Sequence, residues 1–476
     1  MQLHDRRTEC LNYSASFHAL IEGLSQSEQL QKMPFPPMGK DVPLFMRDYP
    51  EQYKVSPWPL IADPQFIEKM DALCRELPIA LHKVLRFYAE QDPAYLAEYL
   101  GVSRVEVDLF ASRLTQPEDL VLRYDAVQVA GQWRLIEVNS GASLGGWQHS
   151  WIYPEVLSLL DAWPQFRQFN IRFRNIVVEL LLAYCHAARR LKGPQTAGNL
   201  LLFVPSSIPA EFYQNLCEEF SALLEKIRPE TMPSARLYYF QSVEQISFDP
   251  DGRLFFAGVE MDAIIMNTDS LDNLPKSFFN LLESMAQKAQ FYYPDSLCYA
   301  LLGNKLLFAL VHEAQTASVL VPYQQELVRQ CIPWTVRLGC PEVVFAGRRY
   351  DTGAFIRSHQ QQLVFKKAYS MQGKHVVVGA STPAGDWCRL YQQLAAEPGW
   401  LIQQYVQPDP IPLAEPQHGF DFYRVIWGIF ALQGRYAGCF LRATPDISGD
   451  TIINSARGAT EFFLFEEQPQ KHVIRF

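Results

Sequence analysis

Apolar residues recur at helical spacing in three segments of the chain. Residues 9–32 and 170–191 show this spacing, the first followed by a proline-containing stretch at 34–39 and the second by Gly193 and Pro194. The longest such segment is 64–114, where apolar residues are three or four positions apart. Its clearest members are Phe66, Met70, Leu73, Leu77, Leu81 and Val84. The pattern predicts helices in all three segments.

Short apolar runs predict strands farther along. Residues 199–206 form a continuous apolar run, and a helical pattern follows up to about residue 227. A buried strand followed by a helix is typical of a parallel sheet. Another buried strand is expected around Val259, Met261 and residues 263–265, and from Phe345 onward the pattern changes to alternating strands.

The stretch from 122 to 147 predicts a β-hairpin with four polar side chains. Alternation on either side of a turn at 130–132 places Arg123 and Asp125 on one face of the first strand, and Glu137 and Asn139 on one face of the second. Such oxygens are the hard ligands that Mg²⁺ takes together with substrate phosphate oxygens. The hairpin therefore predicts a magnesium site beside an anion-binding arginine; the alternative is a solvated polar face.

A glycine-rich segment follows the hairpin. Glycines within 140–146 let the main chain approach a ligand closely. We therefore expect substrate contacts from Ser140, Ser143 and Gly145. His149, just after this segment, could also reach a substrate, although a structural histidine is the more common outcome.

Several basic residues are candidates for phosphate binding. Lys366 stands at the end of an apolar strand pattern, and a point charge on a flexible stem suits a triphosphate, whereas alternation turns Lys367 to the opposite face. Lys305 fits a helix surface equally well. Arg442 competes with Arg424, and the pattern alone does not choose between them.

Composition and charge narrow the classes of function. A chain of 476 residues, 48% hydrophobic, can bury large cores in two or three packed domains. The net charge of −9 argues against a nucleic-acid partner, so small molecules are expected. Nine cysteines without a Cys-x-x-Cys pair favour free thiols. The first residues lack the apolar core of a signal peptide, so a cytoplasmic protein without a membrane partner is expected, and a homodimer is left open.

The motifs and their order resemble those of circularly permuted ATP-grasp ligases, specifically glutathionylspermidine synthetase and eukaryotic-type glutathione synthetase. The resemblance begins with Arg-x-Asp, eleven residues, Glu-x-Asn and then Ala-Ser-Leu-Gly-Gly. It continues in the segments 302–305, 363–374, 401–406 and 438–442.

The resemblance implies that the chain binds ATP and Mg²⁺. It assigns Asp125, Glu137 and Asn139 to the metal, and it places Arg123 at the substrate carboxylate or the transferred phosphoryl group. Arg442 is assigned to the phosphates. The remaining ATP-binding residues that it implies are Lys305, Lys366, Gly373, Gln403, Gln404, Tyr405 and Val406.

The chain departs from the family pattern at three points. The loop at 370–374 has one glycine where these enzymes usually have two or three, and residues 368–370 lack the additional metal-binding Glu of glutathione synthetase. The turn after Asn139 is one residue shorter than in that enzyme. The metal-binding set therefore resembles glutathionylspermidine synthetase more, and the peptide substrate is not carried over.

The implied fold is α+β or α/β, a circularly permuted ATP-grasp with a helical N-terminal region and a small parallel-sheet, pre-ATP-grasp-like substrate domain. The expected divisions are a helical region at 1–118, the metal-binding part of the core at 119–196, the substrate domain at 197–300, and the lid with the rest of the core at 301–476.

The implied activity is an ATP-dependent carboxylate–amine ligase that forms an amide bond through an acyl phosphate and releases ADP and phosphate. Its partners would be a small-molecule carboxylate and an amine. Such a reaction requires positioning and charge neutralisation rather than a side-chain nucleophile, and Cys388 and Cys439 lack a local nucleophile signature. The alternatives are an ATP-dependent phosphotransferase acting on a small carboxylate and a nucleotide-binding module without catalysis.

Overall fold

The computed structural model describes residues 13–112, 116–266, 274–370, 374–449 and 451–469, and it combines helices with several β-sheets. Among the helices described, none has the length and apolar character needed to cross a membrane. The helices are α1 (Ala15–Ser25), α2 (Glu28–Gln31), α3 (Tyr49–Gln52), α4 (Pro64–Gln91), α5 (Pro93–Leu100), α6 (Arg104–Ser112), α7 (His149–Ala162), α8 (Ile176–Lys192), α9 (Ala210–Ile227), α10 (Lys276–Ala286), α11 (Leu297–Ala300), α12 (Leu307–Leu310), α13 (Pro322–Cys331), α14 (Thr352–Ser358) and α15 (Ala384–Leu394).

The strands contribute to sheets of different kinds, and the mixed α/β class expected from the sequence is confirmed. They are β1 (Leu60–Ala62), β2 (Val121–Val129), β3 (Gln132–Ser140), β4 (Ile171–Phe173), β5 (Asn199–Phe203), β6 (Arg236–Phe240), β7 (Ile246–Phe248), β8 (Leu254–Phe256), β9 (Val259–Met261), β10 (Ala263–Ile265), β11 (Thr335–Arg337), β12 (Glu342–Phe345), β13 (Arg348–Asp351), β14 (Leu363–Lys367), β15 (Val376–Val378), β16 (Trp400–Gln404), β17 (Pro410–Glu415), β18 (Gly419–Leu432), β19 (Arg435–Pro445) and β20 (Thr460–Glu467).

The central sheet joins distant parts of the chain. Its strand order is β1-β20-β19-β18-β2-β3, and β4 and β17 pair with β20 and β18. β1 runs parallel to β20, and the remaining pairings of this sheet are antiparallel. The strands after residue 419 therefore lie between β1 and the hairpin β2–β3.

Helix α4 packs on the central sheet as its apolar stripe requires. Asp63 caps its N-terminus by accepting a hydrogen bond from the Phe66 N–H, and Pro64 occupies the first turn, where its missing N–H costs nothing. Met70, Leu77 and the other apolar positions predicted from the sequence are buried. The helical prediction for this segment is confirmed over 64–112 by α4, α5 and α6, while residues 113 and 114 lie outside the described residues.

The helix predicted at 170–191 begins later than expected. Residues 171–173 form the edge strand β4, which pairs with β20. The side chain of Asn175 accepts a hydrogen bond from the Val178 N–H, so this cap starts α8 at Ile176. Local spacing did not reveal the strand because its partner is about 290 residues away.

A small parallel sheet has the order β10-β5-β6, with every pairing parallel. Helix α9 connects β5 to β6, which confirms the predicted strand-then-helix unit. Leu201, Phe203 and Phe240 form part of its separate apolar core. The antiparallel strands β7, β8 and β9 extend this region.

A four-stranded antiparallel sheet, β11-β16-β14-β15, forms the remaining layer. Helices α14 and α15 and the hairpin β12–β13 share an apolar core with this sheet. Its core includes Phe365 and Trp387, whose rings stack with centroids 4.0 Å apart. This sheet confirms the alternating strands expected after Phe345.

Candidate functional site

The predicted hairpin is present as β2 and β3. Arg123 pairs directly with Asn139, and Asp125 pairs with Glu137. The turn contains Ala130 and Gly131, both with positive φ (51° and 71°), as a tight hairpin turn of the primed type requires. The structure thus brings the two predicted carboxylates side by side.

A β-bulge changes the direction of the second strand at this point. Ala126 pairs with Leu135 whereas Asp125 pairs with Glu137, so Ile136 is an extra residue on β3. The main-chain carbonyl of Ile136 accepts a hydrogen bond from Lys366 Nζ at 2.9 Å. Simple alternation could not predict this contact, because a bulge breaks the two-residue period.

A first cleft, of about 870 Å³, lies between the hairpin and the four-stranded sheet. Among the residues that line it are most of those proposed from the sequence for ATP and metal. These are Asp125, Glu137, Lys305, Lys366, Gln403, Gln404, Tyr405, Val406 and Arg442. Residues 305, 366 and 442 come from three separate segments, so the fold rather than local sequence assembles this group.

Two carboxylates in the first cleft are held by cations. Arg442 Nη2 donates to Asp125 Oδ2 at 2.8 Å, and Lys305 Nζ lies 2.7 Å from Glu137 Oε1. Burial alone would raise the pKa of Asp125, but the guanidinium groups of Arg123 and Arg442 outweigh burial and lower it to about 2. Asp125 is therefore ionised across the physiological pH range.

Lys366 is almost completely buried and faces the first cleft. Its ammonium group donates to Gln403 Oε1 at 2.7 Å, and Gln403 Nε2 in turn donates to Thr335 Oγ1. Burial lowers the pKa of Lys366 to about 8, against the opposing effect of the Glu137 carboxylate. Lys367 instead lies 5.8 Å from the Trp400 ring centroid, so the predicted choice of face is confirmed.

Arg123 connects this cleft to the glycine-rich loop, residues 141–146. Its Nε donates to Asp125 Oδ1 and its Nη1 donates to the Gly145 carbonyl oxygen, both at 2.9 Å. Gly428 on β18 makes room for this arginine, because a Cβ there would lie 3.2 Å from Arg123 Cδ. The role of Gly428 was not predicted from the sequence. It depends on the pairing of β18 with β2, which places Gly428 opposite Asp125.

Aliphatic side chains line much of the rest of the first cleft. Val127, Ile426 and Ile453 pack together on one side, and Val364 and Val378 line it from the four-stranded sheet. The cleft is also lined by Thr451, Ile452, Ile453 and Asn454. No motif in the local sequence predicted that these residues belong to the site. The cleft can thus accept a flat apolar group together with a polyanion.

The structure places both candidate arginines in this lining. Arg424 pairs through Nε with Asp446, while Arg442 contacts Asp125. Arg442 is therefore the one that belongs to the carboxylate cluster.

A second cleft, of about 1050 Å³, lies beyond the glycine-rich loop. Ser143 and Gly145 line it. Asn139 and Ser140 line neither cleft: Asn139 Nδ2 donates weakly to the Arg123 carbonyl oxygen at 3.4 Å, and Ser140 Oγ donates to the Tyr299 carbonyl oxygen. Gly373 lies outside the described residues.

Asp295 anchors the glycine-rich loop, and the sequence reasoning did not single it out. Its Oδ1 accepts from the Ala142 N–H at 2.7 Å and its Oδ2 from the Met266 N–H at 3.3 Å. Gly141, at φ 105°, allows this approach, because a Cβ there would lie 2.6 Å from Asp295 Oδ1. Burial raises the pKa of Asp295 to about 7.

His149 is structural rather than a substrate contact. It is fully buried, and its Nε2 lies 3.1 Å from Glu461 Oε2, which also accepts a hydrogen bond from the Tyr49 hydroxyl. The idea that His149 reaches a substrate is therefore wrong.

The donor set of the first cleft fits a hard metal ion. Asp125 and Glu137 offer adjacent carboxylates, and Mg²⁺ takes one or two carboxylates together with phosphate oxygens. In the part of the chain that the structure describes, no group of three or more His, Cys, Asp or Glu residues forms a metal site. The cysteines described there are free thiols, as expected.

Comparison with known proteins identifies a fold but no family. No protein-family profile matches the chain, and no curated protein sequence matches it. Among solved structures it is similar to a glutathione synthetase-like effector from Globodera pallida, in its apo form, at 11% sequence identity. The match covers 94% of this chain and 96% of the other, with a TM-score of 0.53. The chain therefore shares its overall fold with a glutathione synthetase-like protein.

Proposed function

We propose that this protein is an ATP-dependent carboxylate–amine ligase with a circularly permuted ATP-grasp fold. The observation that carries the proposal is the first cleft, where Lys305, Lys366 and Arg442 converge on the adjacent carboxylates of Asp125 and Glu137 beside an apolar lining. The glutathione synthetase-like fold supports a ligase of this type.

The two parts of the first cleft suit the two parts of ATP. The adenine ring would lie between the aliphatic walls, near residues 404–406 at the end of β16. The phosphates would then extend toward Lys305, Lys366 and Arg442. In a buried site such cations neutralise phosphate charge more effectively than in water.

Asp125 and Glu137 would hold Mg²⁺, with Asn139 adjacent on β3. When bound, the ion would supply positive charge that neutralises the charge developing on the phosphates during transfer. The low pKa of Asp125 keeps that carboxylate ready as a ligand. Its two oxygens contact Arg123 and Arg442, and each carboxylate oxygen has a further lone pair with which to bind a cation.

The proposed reaction has two steps, transfer of the γ-phosphoryl group to the acid and attack by the amine. An oxygen of the substrate carboxylate attacks the γ-phosphorus, the bond to the β–γ bridging oxygen breaks, and ADP leaves. The amine nitrogen then attacks the acyl carbon, phosphate leaves with the former carboxylate oxygen, and the nitrogen loses a proton. Arg123 would hold the anionic reacting end, and closure of the four-stranded sheet would exclude water.

Hydroxylamine tests this proposal without knowledge of the natural amine. We expect the protein, given ATP, Mg²⁺ and a panel of carboxylic acids, to form a hydroxamate and ADP in equal amounts. With ¹⁸O in the acid, one label should appear in the released phosphate. A phosphorylated acid that accumulates when hydroxylamine and other amines are left out would indicate a phosphotransferase, and AMP with pyrophosphate would exclude the acyl-phosphate route.

The test needs one variant in the first cleft and a control variant on the protein surface. Lys305→Met removes a cation from the first cleft, whereas Lys288→Met removes an exposed lysine that contacts the Pro250 carbonyl oxygen. Hydroxamate formation should fall in the first variant and persist in the second. Equal activity in both would contradict the assignment of the first cleft.

A further inference from the structure

The two clefts differ sharply in charge. The first cleft is lined by Asp125, Glu137, Lys305, Lys366, Arg424 and Arg442. Among the described residues that line the second cleft, none carries a charge. Its lining is dominated by aliphatic and aromatic side chains from α8, α9 and the ends of β5 and β10. The second cleft therefore favours a ligand of a different chemical class.

The second cleft occupies a position where parallel sheets commonly bind ligands. Phe203 ends β5 and Ile265 ends β10, and both strands are parallel neighbours whose carboxyl ends open on the cleft. Ligands of open α/β sheets bind outside the carboxyl ends of the strands. The location thus agrees with a binding site rather than with a packing defect.

Arg123 lies between the two clefts. It contacts Asp125, which lines the first cleft, and the Gly145 carbonyl oxygen, which lines the second. A carboxylate held beside Arg123 would therefore lie next to the Gly145 carbonyl oxygen, at the edge of the second cleft.

We infer that the second cleft binds the apolar body of the carboxylate substrate, an aromatic or branched aliphatic monocarboxylic acid. This inference rests on the proposed function for the identity of the reacting end. A polyamine or a zwitterionic peptide in this cleft would bury charges without partners, which is costly.

Aromatic residues form part of the wall. Phe220 lies edge-on to Trp147, with ring centroids 5.9 Å apart, and both line the cleft. Phe220 also packs against Trp151 at 5.2 Å. Their partial exposure leaves ring surface available to an aromatic or branched substrate group.

A series of acids tests the inference through hydroxamate formation. Acids of increasing apolar size, from acetate through 4-methylpentanoate to 3-phenylpropanoate, should show kcat/KM rising about fourfold per buried methylene, the value for transfer of one CH₂ group. Glutamate and γ-glutamylcysteine, of similar length, should be poor substrates. Preference for these polar acids would overturn the inference and leave the ligase proposal intact.

Two variants of α9 provide the structural control. Leu216→Gln places an amide in the second cleft, whereas Leu223→Gln makes the same change on that helix outside it. The first should raise KM for 3-phenylpropanoate about tenfold, a change of about 1.4 kcal/mol, without changing KM for ATP. The second should leave both unchanged. Equal effects would overturn the inference.

Calorimetry separates failure of the inference from failure of the proposed function. We expect 3-phenylpropanoate to bind the full chain with a negative heat-capacity change, the marker of apolar burial, and Leu216→Gln to weaken that binding. Binding without hydroxamate formation from any acid would refute the ligase and retain an apolar-acid site. Absence of binding together with absence of turnover would refute both.

Discussion

Lys366 and Ile136, 230 positions apart, are joined by a hydrogen bond of 2.9 Å from the lysine ammonium to the main-chain carbonyl oxygen. This bond links the four-stranded sheet to the bulge in β3. The same ammonium group lies in the lining of the first cleft, so it is preorganised before any ligand binds.

Replacing Lys366 by Met should weaken ATP binding by about 1–3 kcal/mol, the range for losing a hydrogen bond to a charged partner. Lys367→Met is the matched control, because Lys367 lies near the Trp400 ring outside the cleft lining. Calorimetric titration with ATP and Mg²⁺ measures both. The assignment is reversed if the Lys367 variant loses affinity and the Lys366 variant does not.

ATP affinity should depend on the ionisation of Lys366. Burial lowers the pKa of Lys366 to about 8 in the free protein, and phosphate binds the charged form. The affinity for ATP should therefore be greatest below pH 8 and should decline as the pH rises above about 8. In that range, binding of ATP should be accompanied by uptake of a proton. The pH dependence of Kd, measured in buffers of different ionisation enthalpy, checks the sign. Lys366→Arg, whose guanidinium stays charged, should lose this decline, and an unchanged decline would assign it elsewhere.

Glu137→Gln should raise the Mg²⁺ concentration needed for turnover, because it removes one of two adjacent carboxylates while keeping the side-chain shape. Turnover at several Mg²⁺ concentrations, together with Mn²⁺ binding followed by electron paramagnetic resonance, measures the effect. Glu179→Gln, in α8 beside Arg174, is the matched control outside both clefts. A parent-like Mg²⁺ response in the Glu137 variant would remove Glu137 from the metal site.

Gly428→Ala should displace Arg123. The added Cβ would lie 3.0 Å from the Phe440 carbonyl oxygen and 3.2 Å from Arg123 Cδ, and overpacking of this kind costs about 1–3 kcal/mol of folding free energy. Acid-dependent turnover should fall more than ATP affinity. Gly385→Ala is the control, since nothing lies within 4 Å of its added Cβ. Denaturant unfolding should show that the Gly385 variant is at least as stable as the parent protein. An equal loss of folding free energy in both variants would contradict the packing argument.

Asp295 should make folding stability depend on pH. Burial raises its folded pKa from 3.8 to about 7, so the folded state retains a proton that the unfolded state has lost. Its contribution to stability therefore decreases as the pH rises from about 4 to 7. Relative to the parent, Asp295→Asn should become progressively more stable across that window, as measured by urea unfolding. A constant difference would place the titration on another group.

The sequence predicted local structure better than long-range pairing. The stripe containing Met70 and Leu77 identified α4, and the hairpin that pairs Asp125 with Glu137 could be derived from alternation and a glycine-containing turn. The edge strand β4, the Ile136 bulge and the role of Gly428 depend on partners far along the chain. Resemblance, rather than periodicity, selected Lys305, whose ion pair with Glu137 spans separate segments. The role of Asp295 was not predicted, because no sequence motif identifies a single buried carboxyl group beneath a loop.

The strand order of the central sheet also affects how the chain is made. β1 and β2 are close in sequence but are separated in space by β18, β19 and β20. During synthesis both strands leave the ribosome long before those that fill the gap between them, so the edges of β1 and β2 that face this gap stay unpaired until residues 419–467 emerge. Asp125 likewise meets Arg442 only then, so the central sheet and the charged cluster of the first cleft are completed together, late in synthesis.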